Sequence, residues 1–211
     1  MVEKNEMNII PLFTTSVMQT QLDLDTDKLT ELAFQIQNKD KEGVQLTNKG
    51  GWQSNNVIEE IHEELDKLKK EITWNFQVYH SEIFEGMKFK TNVTQNIANM
   101  WVNINEKHHY NDWHTHPFAT LSGAYYIKHD GVESGDIVFK HPLHLHIGTL
   151  HWPKEIVEVY NTATAQVANI TPSSNMLLIF PSWMEHSVGA NLKNDPRISV
   201  SFNSILLPEI K

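Results

Sequence analysis

The chain has 211 residues and no cysteine, with 40% hydrophobic residues, 20% charged residues and a formal net charge of -9. That size and balance predict one soluble globular domain with a proper core, and the missing cysteine excludes disulfides, thiolate zinc sites and cysteine nucleophiles. The acidic balance argues against a nucleic-acid binder, which needs a basic footprint; no apolar stretch approaches the roughly 20 residues that span a bilayer, and no cationic-then-apolar leader pattern opens the chain, so the cytoplasm is expected.

Residues 8–22 mix apolar and hydroxyl side chains (Ile9, Ile10, Leu12, Phe13, Val17, Met18) and predict one or two strands at a sheet edge. Asp25 or Thr26 caps a first helix, with Leu29, Leu32, Ala33 and Phe34 on one face, ending near Gly43. Residues 47–52 read as loop. Asn55 or Asn56 then caps a second helix, whose Ile58, Ile61, Leu65, Leu68 and Ile72 recur at helical spacing and form a core-packing stripe.

After Gly86 helical periodicity stops. Short alternating strands are predicted over 88–105, 121–128, 136–139, 157–161, 165–170, 175–180, 186–190 and 197–205, with Gly, Pro, Asn or Asp at the breaks. Such a series predicts a mainly β protein, a jelly roll or small barrel packed against two N-terminal helices. Residues 1–86 would be a strand and helix support layer and 87–211 the core, within one compact domain.

Candidate chemistry centres on Trp113-His114-Thr115-His116-Pro117. At a strand end, i and i+2 side chains share a side, so His114 and His116 form half of a divalent-metal site. His186 follows the apolar run 177–180 and a turn, and is a candidate third ligand; Asp112, also i+2 from His114, competes for a place. In Arg197-Ile198-Ser199-Val200-Ser201-Phe202-Asn203, strict alternation puts Arg197 and Ser199 on one face, where together they suit a carboxylate. His141, His144, His146 and His151 form a rival cluster in a loop, where a substrate-facing or solvated role is expected.

A His-x-His pair, a distal His about 70 residues on and an Arg-x-Ser soon after resemble the 2-oxoglutarate- and Fe(II)-dependent oxygenases. The segments Gly51-Trp52-Gln53-Ser54, Met100-Trp101-Val102-Asn103, His114-Thr115-His116-Pro117, Leu121-Ser122-Gly123-Ala124-Tyr125-Tyr126 and Arg197 to Asn203 resemble a branch of that family found in marine bacteria and their phages. The resemblance implies a double-stranded β-helix (cupin-like) core, Fe(II) held by His114, His116 and His186, and 2-oxoglutarate as cosubstrate with its far carboxylate on Arg197 and Ser199. Asn103, Tyr110 and Tyr125 become candidates for the cosubstrate site or its wall, and Trp101, Trp113, Trp152 and Trp183 for the surrounding aromatics. The implied reaction hydroxylates a substrate, a small molecule or a protein side chain, and releases succinate and carbon dioxide.

One departure stands out. The superfamily usually places Asp where this chain has His116, which leaves a three-histidine set. Two other readings therefore stand beside the first: a three-histidine cupin-type metalloenzyme that does not use 2-oxoglutarate, and a non-catalytic jelly-roll binding protein. The residues 140–153, rich in His and Trp, are the expected substrate-facing loop, and the N-terminal layer offers a face for a homodimer.

Overall fold

Two long alternating runs set the framework. Strand β4 (Val93–Asn105) and strand β11 (Arg197–Pro208) pair antiparallel, with Arg197 opposite Asn105, Ser199 opposite Asn103 and Ser201 opposite Trp101. The two-residue period then sends Met100, Val102, Ile104, Ile198, Val200 and Phe202 to one face and Trp101, Asn103, Asn105, Arg197, Ser199 and Ser201 to the other. The computed structural model describes residues 12–147, 152 and 155–209.

These strands belong to a six-stranded antiparallel sheet, in which β1 (Met18–Gln21), β9 (Met176–Pro181), β6 (Leu121–Lys128), β11, β4 and β3 (Trp52–Gln53) are neighbours in that order. A second, five-stranded sheet runs β2 (Asn48–Lys49), β5 (Tyr110–His114), β10 (His186–Val188), β7 (Ile137–Lys140) and β8 (Val167–Ile170). The sheets face each other through Ala124, Tyr126, Leu178 and Phe180 of the larger and Ile137 and Phe139 of the smaller, with the Phe139 and Phe180 rings 4.9 Å apart. This is the expected mainly β jelly roll.

Helices α1 (Thr26–Lys39) and α2 (Glu63–Ile83) cover the outer face of the larger sheet. Leu29, Leu32, Ala33 and Ile36 of α1 and Leu65, Leu68, Ile72, Phe76 and Tyr79 of α2 are buried there, and Phe76 meets Phe202 edge to face at 5.9 Å. The Asp25 side chain caps α1 by accepting from the Lys28 N–H at 3.1 Å. A short α3 (His144–Ile147) lies between β7 and β8.

Several boundaries differ from the expectations. Helix α1 stops at Lys39, short of Gly43, and Phe34 is half-exposed while Ile36 takes its place in the core. Helix α2 starts at Glu63, so Asn55 and Asn56 do not cap it and Ile61 is exposed. Backbone bonding explains the shift: Ser54 and Val57 donate to the Val102 and Met100 carbonyls, and Asn56 Oδ1 accepts from the Met100 N–H at 3.0 Å. Residues 54–57 thus continue along β4 instead of entering a helix. The predicted loop 47–52 contains β2 and β3, which enter opposite sheets on either side of Gly50. Strand β5 stood outside the predicted strand series, although the pairing of His114 with His116 supposed a strand end there, and 157–161 is coil with no strand partner. Of the predicted N-terminal strand, β1 forms, whereas Ile9 and Ile10 lie outside the described residues.

Candidate active site

The smaller sheet assembles the histidines by register. His114 closes β5 and His186 opens β10, and the two are direct cross-strand partners. His116 lies two residues on, held by its own N–H, which donates to the Ser182 carbonyl at 3.0 Å. Ring centroids of His114 and His186 are 4.3 Å apart, and His116 lies 5.0 Å from the first and 5.1 Å from the second. One ring nitrogen from each of the three falls within 4.8 Å of the others, the one group of metal-ligating type among the described residues.

The ring orientations suit a metal. His114 Nδ1 meets the Asp112 carbonyl at 2.7 Å and His186 Nδ1 meets the Met184 carbonyl at 2.9 Å. A carbonyl only accepts, so each Nδ1 carries the proton and Nε2 keeps its lone pair. Burial pushes His186 down to about 3 and His116 down to about 4, with the neighbouring imidazoles adding to the effect, and burial also lowers His114. Three neutral imidazoles with converging lone pairs fit a first-row divalent ion. The Asp112 carboxylate is exposed and accepts from the Trp113 N–H, so this residue acts on the cluster through its main chain.

Arg197 sits in the same cavity, of about 390 Å³, between the two sheets. It is 2% exposed, and burial lowers its guanidinium to about 10, which leaves it charged at neutral pH. Nη1 donates to the Ser134 carbonyl at 2.5 Å and to the Gly189 carbonyl at 2.8 Å, whereas the buried Nη2 has no partner. A desolvated donor on a full charge is costly unless an anion meets it. A dicarboxylate suits this chemistry, since the cation and the imidazoles line the same space and Ser199 lies beside Arg197 on its strand face.

Asn103 lines the cavity, and its Nδ2 donates to Ser201 Oγ at 3.0 Å while its Oδ1 has no partner. Tyr125 does not line it. Its ring lies on the helix-covered face of β6 and its hydroxyl donates to Asn175 Oδ1 at 2.5 Å; Tyr126, one residue on, is the tyrosine that faces Arg197's cavity. Every residue of β6 from Leu121 to Ile127 is buried, so no polar alternation marked which tyrosine faced inward. Tyr110 is 41% exposed and off the cavity. Of the tryptophans, Trp101 joins the site with its ring 5.7 Å from His116, while Trp113 lies under the Lys140 ammonium and Trp152 and Trp183 are exposed. Among the described residues, His141 and His144 join no metal-type cluster, while the His146 side chain and His151 lie outside what the structure describes. Tyr126 apart, the residues that the sequence left unmarked act on Arg197 through main-chain carbonyls (Ser134 and Gly189), which carry no side-chain signal.

Residues 99–203, which include all three histidines and Arg197, match the model of the family described as "Putative 2OG-Fe(II) oxygenase". The chain belongs to this family and is a 2-oxoglutarate- and Fe(II)-dependent oxygenase. Its fold is similar to that of a prolyl-4-hydroxylase of Pseudomonas putida, at 14% identity and a TM-score of 0.57, over 91% of this chain and 94% of that one. It is likewise similar to the viral collagen prolyl hydroxylase of Paramecium Bursaria Chlorella virus-1 in its 2OG complex (13% identity, TM-score 0.55, 89% and 94% covered). A third similar structure is a prolyl hydroxylase of Trichoplax adhaerens bound to a peptide fragment of the hypoxia inducible factor oxygen degradation domain (13%, 0.60, 92% and 85%). No curated protein matches the chain. At such identities the likeness shows the jelly-roll fold. No helix among the described residues is long and apolar enough to cross a membrane.

Proposed function

We propose that His114, His116 and His186 hold Fe(II), and that Arg197 with Ser199 holds the far carboxylate of 2-oxoglutarate while a substrate C–H bond is hydroxylated. The observation that carries this reading is the convergence of three ring nitrogens within 4.8 Å in the cavity where Arg197 keeps a buried, unpartnered Nη2. The overall change balances as substrate C–H, dioxygen and 2-oxoglutarate giving substrate C–OH, succinate and carbon dioxide.

Iron, when bound, supplies the activation of dioxygen. The chain supplies position and environment. The Asp112 and Met184 carbonyls hold two imidazoles in the tautomer that presents Nε2. The Ser134 and Gly189 carbonyls occupy Nη1 of Arg197 and leave Nη2 for the cosubstrate. The third imidazole, where related enzymes carry a carboxylate, leaves a bound ion one unit more positive. Substrates in view are a small molecule or a protein side chain; the peptide bound to the Trichoplax adhaerens enzyme supports the second. A cytoplasmic setting and a homodimer are part of the proposal, testable by fractionation and by sedimentation.

The test is anaerobic reconstitution with Fe(II) and 2-oxoglutarate, followed by succinate detection after oxygen is admitted. A metal-to-ligand absorption band and succinate are expected. Arg197→Ala should keep iron affinity but weaken 2-oxoglutarate binding roughly 10- to 100-fold, the worth of a hydrogen bond to a charged group. Tight iron binding with neither band nor succinate would move the assignment to a three-histidine enzyme without 2-oxoglutarate or to a binding protein. Full iron affinity in His186→Ala would remove the proposed ligand set.

A further inference from the structure

Beyond Arg197 and the imidazoles, the cavity wall combines apolar and hydroxyl side chains with a group of primary amides. Gln53 comes from β3, Asn99, Asn103 and Asn105 from one face of β4, and Asn111 from β5 of the opposite sheet. The register places Gln53 against Asn103, so the two larger-sheet strands present their amides side by side. These groups are largely uncommitted. Gln53 is 8% exposed and makes no side-chain hydrogen bond, and the buried Oδ1 atoms of Asn103 and Asn105 have no partner. Asn55 is different, since its Nδ2 is spent on Asp40.

Charge is missing from this wall. One residue in five of the chain is charged (20%), yet the cavity lining holds no Asp, Glu or Lys among the described residues, and Arg197 is its one permanent charge. The exposed side of α2, with Glu63, Lys67 and Lys70, shows what an ordinary solvated face of this protein looks like. With Arg197 assigned to the cosubstrate, a charged group entering from a substrate would find no counter-charge, and burying an unpaired ion is far costlier than burying a paired polar group. A neutral group that donates and accepts meets partners of both kinds, because each primary amide offers an acceptor oxygen and a donor nitrogen. Trp101, beside His116, adds a flat apolar surface next to these amides.

We propose that the substrate group entering this cavity is uncharged and both donates and accepts hydrogen bonds, an amide or a hydroxyl-bearing group, and that Gln53, Asn99 and Asn111 select it. The inference rests on the oxygenase reading above. Such a group has two sources, the amides of a peptide and the hydroxyls of a polyol, and the experiment separates them.

The anaerobic complex with Fe(II) and 2-oxoglutarate is formed first, and its absorption band shows that the oxygenase reading holds before any probe is added. Four probes are then titrated without oxygen: N-acetyl-alanine amide, its anionic counterpart N-acetyl-alanine, its cationic counterpart alanine amide, and glucose. Perturbation of the band by N-acetyl-alanine amide or by glucose, at least tenfold tighter than by either charged probe, is expected, and which of the two binds names the source. Asn99→Asp, at an exposed position that does not threaten folding, and Gln53→Glu should each weaken the neutral probe about tenfold and shift preference toward alanine amide. Equal or tighter binding of a charged probe to the parent protein, or binding of no probe, would overturn the proposal. Failure of the band to form would instead strike at the oxygenase reading.

Discussion

Arg197 shows how one side chain is made specific by what surrounds it. Two main-chain carbonyls hold Nη1 of the guanidinium, one from Ser134 in the glycine-flanked 131–135 segment and one from Gly189, directly after β10. Gly135 has φ +92°, and a Cβ there would stand 2.2 Å from the Gly189 oxygen and 2.5 Å from Arg197 Nη1. Gly135→Ala is therefore expected to cost about 1–3 kcal/mol of stability through backbone strain and to raise the KM for 2-oxoglutarate more than it lowers kcat. Steady-state succinate kinetics beside urea unfolding check both parts. A stability loss with unchanged KM would show that the turn does not position Arg197.

The elements tell a story of competing partners. The helix pattern around Ile58 and Ile61 was real in its spacing, but residues 54–57 have backbone groups that β4 satisfies, and an extended segment along β4 won over an extra helical turn. Helix α1 instead begins where its cap predicts, because Asp25 satisfies an otherwise orphaned N–H of the first turn. Asp25→Ala should cost about 1 kcal/mol in chemical denaturation. Iron affinity should be unaffected, because α1 packs on the sheet face opposite the cavity. A fall in iron affinity equal to the loss of stability would show that the helix layer and the site are coupled.

At the scale of the whole molecule, buried neutral histidines link folding to pH. His186 and His116 sit at about 3 and about 4 in the folded chain against an ordinary 6.5, and burial lowers His114 and His129 too. Below 6.5 the unfolded chain takes up protons that the folded chain does not, so folding stability is full above that pH and is lost as pH falls toward the folded values. The slope is on the order of 1 kcal/mol per pH unit for each such group. Urea unfolding of the metal-free protein at pH 7.5 and pH 5 should show a marked loss at the lower pH; equal stability would contradict the buried neutral imidazoles. Fe(II) at neutral pH should stabilise by about 2.7 kcal/mol at a hundred times its Kd, visible as a rise in Tm.

From the sequence alone come the mainly β class, the two covering helices, the His114 and His116 pair and the shared face of Arg197 and Ser199, while the family resemblance singled out His186 as the third ligand. These were legible because alternation and helical spacing are local: a two-residue period puts i and i+2 side chains on one side wherever the strand lies. Tertiary structure decided the rest. The identity of the inward-facing tyrosine depends on the phase of a strand buried on both faces. The placement of 54–57 depends on which distant strand accepts their hydrogen bonds, and the fork of Arg197 is set by backbone carbonyls that any residue carries. The amide wall gathers Gln53, Asn99 and Asn111 from strands of two sheets, and only sheet register brings such residues to one cavity.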